Sequence, residues 1–170
     1  LTLAREAQNG RLTGTSVSSL TDSWTTNPFA EPTGYVAKVN GAPVFETSFV
    51  RDKLGRITQK TETTNGQTRT DVYGYDLAGR LESVTRNGVP LVSYSYDGNS
   101  NRIAATTENG TVNGSVDAQD RLTAYGSETF VYNATGQLTG RTNTDTNETT
   151  LYQYDVYGNL KHVLLPNGTN

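Results

Sequence analysis

Three groups of residues in this sequence have side chains and spacings that chemistry would use. The single histidine, His162, is the side chain that any Ser-His-Asp arrangement would need as its general base. A second group falls at positions 1, 3, 5 and 12 of the calcium-binding loop template: Asp97, Asn99, Asn101 and Glu108. The third group is the stretch Tyr-Gly-Tyr-Asp-Leu-Ala-Gly-Arg-Leu at 73–81, which combines phenols, a carboxylate and a guanidinium.

The first two groups have simpler structural interpretations. His162 lies in a plain strand-like segment directly after a repeat turn, with no orienting partner in view, so we expect a surface strand residue. The calcium template also requires glycine at position 6, where Arg102 stands, and flanking helices, where the sequence favours strands. The absence of cysteine removes thiolate nucleophiles and sulfur-ligated metals. We therefore predict no catalytic residue, no cofactor and no metal site.

The third group is one copy of a repeat. Clear copies occur at 49–57, 94–103, 130–138 and 152–160, and looser copies begin at Leu3, Trp24 and Gly114. Alignment of the copies puts these residues in what we call the arginine position: Arg11, Glu31, Arg56, Arg80, Arg102, Arg121, Gln137 and Asn159. The copies recur about every 20 residues, a period typical of repeat proteins. Because catalytic groups are not multiplied in this way, we interpret the stretch as a structural unit.

A second turn signal lies between the copies. Asn-Gly dipeptides occur at Asn40-Gly41, Asn65-Gly66, Asn87-Gly88, Asn109-Gly110 and Asn167-Gly168. Asn-Gly suits a type I′ turn, in which both central residues have positive φ, and is the strongest short hairpin signal. It predicts that Leu81–Arg86 and Val89–Tyr96 are the two strands of one hairpin. Gly126-Ser127 and the run 143–147 are predicted to close two further hairpins.

Each repeat is therefore predicted to contain a strand, an Asp-x-x-Gly turn, a second strand and an Asn-Gly turn. The aspartate accepts hydrogen bonds from backbone amides across its turn, and Gly79 adopts a positive φ that costs other residues about 1 to 2 kcal/mol. Tyr73 and Tyr75 share one face because strand side chains alternate. Stacked copies would align aromatic rings in rows of cross-strand pairs, and the row through Tyr75 contains Tyr96, Val116, Tyr132 and Tyr154. The residues predicted to have this structural role are Tyr73, Tyr75, Asp76, Gly79, Arg80, Tyr94, Tyr96, Asp97, Tyr152, Tyr154, Asp155 and Gly158.

The composition favours an all-β fold and argues against several classes of partner. Hydrophobic residues make up 33% of the 170 residues and charged residues 18%, whereas Thr, Ser, Asn and the 10 Tyr are abundant. Thr and Tyr favour pleated, half-buried surfaces. The net charge of −3, without a basic block, argues against nucleic acid. The apolar runs are far shorter than the about 20 residues needed for membrane insertion. Since the chain begins with Leu1 and contains no Met, we expect an internal fragment of a longer protein.

The repeated Tyr-x-Tyr-Asp-x-x-Gly-Arg-Leu pattern resembles the YD repeat of the Rhs family, which includes insecticidal toxin-complex shell components and the teneurin cell-surface proteins. The resemblance covers the chain as a single run of about eight repeats, with 1–46 degenerate, 47–160 clear and 161–170 the start of a further hairpin. It implies antiparallel hairpins that form a curved or spiralling continuous β-sheet, closed in the family as a hollow shell. In bacterial members the shell typically encloses a toxic C-terminal domain and ends in a self-cleaving segment with Asp-Pro motifs, which nothing in this chain matches.

Two hypotheses about function follow. The first is a non-enzymatic wall segment of a β-shell that encloses and sequesters a cargo or toxin polypeptide, with adjoining shell segments of the parent chain as neighbours. The alternative is a cell-surface adhesion module that binds glycans or a protein partner, because exposed tyrosine faces can stack on sugars. Unpaired sheet edges would also permit self-association. Under both hypotheses the chain is part of a larger bacterial protein that is secreted or lies on the cell surface.

Overall fold

The computed structural model describes residues 1–168, which contain sixteen β-strands and no helix. They form two compact units, the first from Leu1 to Val92 and the second from Ser93 onwards. The strands that begin in the first unit are β1 Thr2–Arg5, β2 Leu12–Val17, β3 Leu20–Thr26, β4 Pro32–Val39, β5 Ala42–Arg51, β6 Ile57–Thr64, β7 Gln67–Tyr75, β8 Leu81–Arg86 and β9 Val89–Tyr96. Those that begin in the second unit are β10 Arg102–Thr107, β11 Gly110–Val116, β12 Leu122–Tyr125, β13 Glu128–Tyr132, β14 Leu138–Asn143, β15 Glu148–Tyr154 and β16 Leu160–Leu164.

The hydrogen-bonded order of the strands is their order along the chain. Within each unit neighbouring strands run antiparallel, as β6 and β7 do in the first and β14 and β15 in the second. The prediction of an all-β chain of antiparallel hairpins is therefore confirmed. The strands predicted around Asn87-Gly88 have the expected bounds, Leu81–Arg86 and Val89–Tyr96. The described residues contain no helix long and apolar enough to cross a membrane.

The division of the chain into a single run of about eight repeats stays a prediction. Within the described residues each unit contains four Asp-x-x-Gly-type turns, identified by the amide of the first residue donating to the carbonyl of the residue at the arginine position. The hairpin predicted to begin at 161–170 extends to Thr169 and Asn170, which lie outside the described residues.

A β-bulge follows each of these turns. In the pairing of β7 with β8, Tyr75 is opposite Leu81 and Gly74 is opposite Ser83, so Glu82 is an extra residue. The same irregularity places Thr58 as the extra residue of β6 and Thr139 as that of β14. A bulge increases the local twist and leaves one residue outside the ladder.

The pairing beyond each bulge keeps a constant frame. We call the first residue of each Asp-x-x-Gly-type turn the aspartate position. The third residue after the arginine position of one turn pairs with the fourth residue before the aspartate position of the next turn. The pairs are Gly14 with Ser23, Gly34 with Ser48, Gln59 with Val72 and Gly140 with Leu151. In the hairpin of β4 and β5 a second bulge, at Val44, restores this frame after the Asn40-Gly41 turn. The Asp-x-x-Gly turns therefore set the register, and the hairpin loops adapt to it.

Three of the predicted Asn-Gly turns have the type I′ backbone. Both residues have positive φ at Asn40-Gly41, Asn65-Gly66 and Asn87-Gly88, with φ of 50° at each asparagine and 79° or 80° at each glycine. Since these values match the right-handed twist of the flanking strands, the sequence signal was sufficient at these three hairpins.

Two other Asn-Gly predictions are wrong in detail. Gly110 already pairs with Thr107, so the central residues of that loop are Glu108 and Asn109. A turn centred on Asn109-Gly110 would shift the pairing by two residues and break the constant frame, which keeps Ala104 opposite Asn113. At the end of β16 the amide of Gly168 donates to the carbonyl of Leu165 at 2.9 Å. Gly168 is therefore the fourth residue of its turn, where a type I′ turn would have it third.

Neither unit is organised around a buried hydrophobic centre. Val84 is the only buried hydrophobic side chain among the described residues. It lies on the side of the sheet that carries Tyr73 and Tyr75, which we call the tyrosine face. On the opposite side Val72 is 42% exposed and Val50 is 53% exposed. With so little apolar area removed from water, hydrogen bonds and side-chain stacking have to contribute a larger share of the stability.

Candidate functional site

The turn at 76–80 is closed from inside by its aspartate. The amide of Asp76 donates to the carbonyl of Arg80 and the amide of Gly79 to the carbonyl of Asp76, both at 2.9 Å. One carboxylate oxygen of Asp76 accepts the amide of Arg80 at 2.9 Å, and the other accepts its Nε at 2.7 Å. Gly79 has φ of 84°, which glycine adopts without strain. The turn therefore fixes both the backbone and the guanidinium of Arg80.

Other repeats vary this turn without changing its outline. Arg56 and Arg121 each place Nε 2.7 Å from the carboxylate of the aspartate four residues earlier. In the turn at 133–137 an asparagine and a glutamine take the places of the charged pair, with Nδ2 of Asn133 2.7 Å from Oε1 of Gln137. Asp155 accepts the amide of Asn159 at 2.9 Å, and Gly158 has φ of 85°. Backbone capping by the first residue is the common element.

The turn at 97–101 corrects the sequence alignment. The amide of Asp97 donates to the carbonyl of Asn101, so Asn101 occupies the arginine position and Arg102 does not. Oδ1 of Asp97 accepts the amides of Asn99 and Asn101 at 2.9 Å. The presence of an arginine one residue later hid the true turn length. The same contacts give the calcium-like spacing at 97–101 a turn-building role.

The remaining residues considered for chemistry lie apart from one another. His162 is exposed on β16 and pairs with Gln153, in a strand pair rather than in a cleft. Residues 1–168 contain no group of three or more His, Asp or Glu side chains placed to hold a metal ion.

The turn contacts favour the charged form of the aspartates. The hydrogen bond from the Arg80 amide lowers the pKa of Asp76 below its usual value. The Arg121 side chain lowers the pKa of Asp117, and the Asn159 side chain lowers that of Asp155. A general acid at neutral pH needs a raised pKa, so these carboxyl groups suit structure and not proton donation.

A buried carboxylate reinforces the tyrosine face of the first unit. Asp71 is 6% exposed and lies 2.8 Å from Nε of Arg86, and this hydrogen bond lowers the pKa of Asp71. Arg69, two residues earlier on the same strand, places its Nε 3.6 Å from the other oxygen of this carboxylate. A charge buried to this extent persists in a fold only when it is paired in this way.

These pKa shifts predict a loss of stability in acid. Each folded-state pKa lies below its unfolded value, so the unfolded chain binds more protons and the stabilisation present above about pH 4 disappears as the pH falls through the folded-state values. Chemical denaturation at a series of pH values should show a free energy of unfolding that is nearly constant from neutrality to about pH 5 and then declines.

The variant Asp76→Asn is a control for this prediction, because Asn133 occupies the same turn position in another repeat. It should make the decline with acid shallower. A free energy of unfolding that rises on acidification would contradict the assignment of these carboxylates.

Arg56 also connects its own repeat to the next one. Its guanidinium carbon lies 4.5 Å from the centroid of the Tyr75 ring, and the Tyr75 hydroxyl donates to the carbonyl of Ile57 at 2.7 Å. The ring is thus held by a cation–π contact on its face and by a hydrogen bond at its polar end. We call this arrangement the arginine–tyrosine clamp.

The second unit contains the same clamp. The guanidinium carbon of Arg121 lies 4.9 Å from the centroid of the Tyr132 ring, and the Tyr132 hydroxyl donates to the carbonyl of Leu122 at 2.9 Å. At Tyr75 and Tyr132 the predicted rows of aromatic pairs are therefore wrong, because a guanidinium and not a second ring covers each tyrosine. Each arginine directly precedes the strand that pairs with the tyrosine's strand, so its guanidinium lies beside the ring, whereas equivalent tyrosines of successive repeats are separated by an intervening strand.

Ring-to-ring contacts occur elsewhere in the first unit. The centroid of the Tyr35 ring lies 5.0 Å from that of Trp24 and 6.0 Å from that of Phe45. Tyr35 stands on β4, outside the repeated Tyr-x-Tyr motif, and was not predicted from the alignment.

The clamp predicts a specific cost for loss of one hydroxyl group. Tyr75→Phe removes the hydrogen bond to Ile57 and keeps the ring, so the free energy of unfolding should fall by about 1 kcal/mol. Tyr154→Phe is the matched control, since the Tyr154 hydroxyl makes no hydrogen bond with a described residue, and its stability should be unchanged. Equal effects in urea denaturation would contradict the clamp.

The other predicted tyrosines are half-buried on strands beside their turns. Tyr73 pairs with Val84 and, together with Tyr75, lines an apolar depression of about 260 Å³. The remaining pairings are Tyr94 with Ala105, Tyr96 with Arg102, Tyr152 with Val163 and Tyr154 with Leu160.

One position of the repeat was not predicted from the sequence, namely the extra residue of the bulge. The extra residue of the bulge is a threonine in five repeats: Thr13, Thr33, Thr58, Thr123 and Thr139. The hydroxyl of Thr139 donates to the carbonyl of Val131 at 3.1 Å, and that of Thr123 to Ser115 at 3.1 Å. The signal was present in the sequence as a threonine two residues after the arginine position.

Some turns have a residue other than glycine at the position that Gly79 occupies in its turn, where φ is positive. Replacing such a residue with glycine should stabilise the chain. Ala30 has φ of 66°, a region that costs an L-residue about 1 to 2 kcal/mol. Ala30→Gly should therefore raise the free energy of unfolding by about 0.5 to 1 kcal/mol after the greater unfolded-state entropy of glycine is subtracted. Ala78→Gly, in a turn residue without positive φ, should lower it, and a gain there equal to that at Ala30 would contradict the explanation.

Comparison with known families shows the wider context of these repeats. A sequence profile of the teneurin YD-shell family matches residues 1–170. The chain belongs to this family. The YD-repeat resemblance predicted from the sequence is thereby confirmed. No curated protein matched the YD-shell chain.

Solved structures with a similar fold belong to much longer chains. The YD-shell chain matches crystal structures described as TcdB2-TccC3-Cdc42 and as TcdB2-TccC3 without hypervariable C-terminal region, each with a TM-score of 0.69. The identities are 13% and 11%, and each match covers 91% of this chain and 9% of the other. A crystal structure of TcdB2-TccC3 matches with a TM-score of 0.57 and 11% identity over 92% of this chain and 11% of the other. Identities this low show the fold alone, and the YD-shell chain spans only about a tenth of these structures.

Proposed function

We propose that this chain is a wall segment of a larger YD shell that encloses and sequesters a cargo or toxin polypeptide without catalysing a reaction. The observation that supports this most directly is how the sheet is stabilised. Turn hydrogen bonds and arginine–tyrosine clamps join neighbouring strands within each unit, so these strands hold together without a second sheet packed against them. A single layer with both faces open is what the wall of a compartment requires.

The side of the sheet opposite the tyrosine face supports this role through its chemistry. Threonines pair there across strands, with hydroxyl oxygens 2.9 Å apart for Thr63 and Thr68 and for Thr142 and Thr149. These hydroxyls satisfy one another and leave little apolar surface in the rows they form. The same face also exposes Val50 and Val72, so we expect the threonine rows, and not the whole face, to touch an enclosed polypeptide without binding its apolar segments tightly.

The partners proposed for the segment are adjoining shell segments of the parent chain and the enclosed polypeptide. By analogy with the family, the parent would be a bacterial protein that is secreted or displayed on the cell surface.

The contacts of the tyrosines favour the wall over the adhesion hypothesis. Stacking on a sugar needs an open ring face, whereas the Tyr75 ring lies beneath Arg56 and its hydroxyl is bonded to Ile57. The tyrosines of the repeat are half-buried at the other clear copies as well. Glycan binding through these rings is therefore the weaker proposal.

Limited proteolysis of the parent protein tests the enclosure. The enclosed polypeptide should be cleaved much more slowly within the intact parent than when it is expressed alone, and the protection should disappear once the shell is unfolded. Equal cleavage of enclosed and free polypeptide would overturn the proposal. Saturable binding of this chain to a glycan array would instead support adhesion, and loss of a hydrolytic activity in His162→Ala would overturn the non-enzymatic role.

A further inference from the structure

The chain contains seven Asn-Gly dipeptides, and the fold places them in different chemical environments. They begin at Asn9, Asn40, Asn65, Asn87, Asn109, Asn113 and Asn167. An asparagine followed by glycine is prone to an intramolecular reaction, because glycine has no side chain to obstruct attack by its own amide nitrogen. All seven share this local sequence, so differences in their reactivity must come from the structure.

We propose that Asn40 and Asn65 are sites of spontaneous deamidation and that the fold protects the other Asn-Gly steps. In this reaction the deprotonated amide nitrogen of the glycine attacks Cγ of the asparagine side chain. The new N–C bond forms a five-membered succinimide, and the side-chain nitrogen leaves as ammonia. Water then opens the ring at either carbonyl and yields aspartate or isoaspartate, so no other reactant is required.

The two proposed sites have both reacting groups available. Asn40 and Asn65 are exposed, and their side chains make no hydrogen bond with a described residue. Gly41 and Gly66 are loop residues between the closing strand pairs, and an added Cβ would meet nothing within 4 Å at either glycine. The nucleophile and the side-chain carbonyl are therefore open to solvent and free to approach.

The side-chain carbonyl is occupied at two other steps. Oδ1 of Asn87 accepts the amide of Thr70 at 2.8 Å. At Asn9 the side chain accepts the amide of Arg11 at 2.9 Å and donates to Glu6 at 3.0 Å. Rotation of either side chain toward the next nitrogen requires these hydrogen bonds to break first.

The glycine nitrogen or its backbone is held at the remaining steps. Gly110 is paired opposite Thr107, and Gly114 is paired opposite Tyr125. The amide of Gly168 donates to Leu165 at 2.9 Å. At the Asn9 step, already described, the amide of Gly10 is likewise a donor, to Glu6 at 2.9 Å. At these steps the glycine nitrogen either donates a hydrogen bond or belongs to a residue held in a strand pair. Both arrangements oppose deprotonation of the nitrogen and its attack on the side chain.

The reaction should leave the sheet intact, because register is set at the opposite ends of the strands. Gly34 opposite Ser48 and Gln59 opposite Val72 hold β4–β5 and β6–β7 in frame from the Asp-x-x-Gly side. Each event replaces a neutral amide with a carboxylate, so two events would change the net charge from −3 to −5. The proposed product is a more acidic chain with the same fold.

Peptide mapping by mass spectrometry tests the proposal. The folded chain would be incubated at mildly alkaline pH and sampled over days, with the mass gain of deamidation quantified at each Asn-Gly step. Asn40 and Asn65 should convert at least about fivefold faster than Asn87, because only the Asn87 side chain has to break a hydrogen bond, the one from Thr70, before it can react. The same chain in concentrated urea is the control, where the differences among the seven steps should disappear.

Three outcomes would overturn the proposal. They are conversion of Asn87 or Asn113 as fast as Asn65 in the folded chain, no conversion at Asn40 and Asn65 while the unfolded chain reacts, and an unchanged ranking in urea. The variant Asn65→Asp separates chemistry from folding. Its circular dichroism spectrum should match that of the unmodified chain, and a loss of β-signal would refute the claim that the sheet tolerates the product.

Discussion

Gly14→Ala should destabilise the first unit by about 2 to 3 kcal/mol, the upper part of the range for overpacked sites. Gly14 is buried in β2, and a Cβ built on it would lie 2.5 Å from the carbonyl oxygen of Asp22. That oxygen belongs to the backbone of β3, so it cannot move aside as a flexible side chain would. The fluorescence of Trp24, the only tryptophan, should report the earlier unfolding in urea.

A second buried glycine supplies the matched control. Gly140 occupies the same position of its repeat, three residues after the arginine position, but an added Cβ there would first meet Cδ2 of Leu151 at 3.7 Å. This is an ordinary van der Waals distance, and alanine also restricts the unfolded chain. Gly140→Ala should therefore leave stability unchanged or raise it by about 0.5 kcal/mol. Equal losses in the two variants would show that the close approach at Gly14 has no energetic consequence.

Gly79→Val should lower the free energy of unfolding by about 2 kcal/mol, because a β-branched residue is strained at positive φ. Gly79 has φ of 84°, and its added Cβ would lie 3.3 Å from Nη1 of Arg56. Arg56 is the cation of the clamp on Tyr75, so the substitution acts on two repeats at once. Denaturant unfolding of the variant and the unmodified chain under identical conditions measures the difference.

Gly98→Val is the control for Gly79→Val. Gly98 belongs to the turn at 97–101, at the position that Leu77 occupies in the turn at 76–80. It lacks positive φ, and an added Cβ would meet no atom within 4 Å. Its effect should stay within about 0.5 kcal/mol. Equal free energies of unfolding for the Gly79→Val and Gly98→Val chains would contradict the requirement for glycine in this turn.

The regular parts of this fold were predictable from local sequence. Strand alternation around Asn87-Gly88 gave the bounds of β8 and β9, and Asp-x-x-Gly predicted a turn whose aspartate caps backbone amides, as Asp76 does. These features depend on residues within a few positions of each other. Local chemistry therefore decides them, and tertiary context has little to change.

The parts that the sequence analysis missed depend on contacts between repeats. Arg56 and Tyr75 belong to different repeats, and only the pairing of β6 with β7 brings the guanidinium over the ring. The shifted loop at Glu108 and Asn109 follows from the pairing frame set at the far end of the strands and not from the Asn-Gly signal itself. Likewise Arg102 was aligned by residue type, whereas the backbone hydrogen bond of Asp97 selects Asn101.

The constant pairing frame has a consequence for how such a chain can change over generations. Each bulged turn resets the phase of the sheet, so a residue gained or lost in one hairpin loop is absorbed before the next repeat begins. The short hairpin at Gly126-Ser127 and the longer one closed by Asn40-Gly41 differ in length, yet both return to the same frame. An insertion in one hairpin loop therefore changes only that hairpin. The chain can accumulate such insertions without altering the strand pairing of the adjoining repeats.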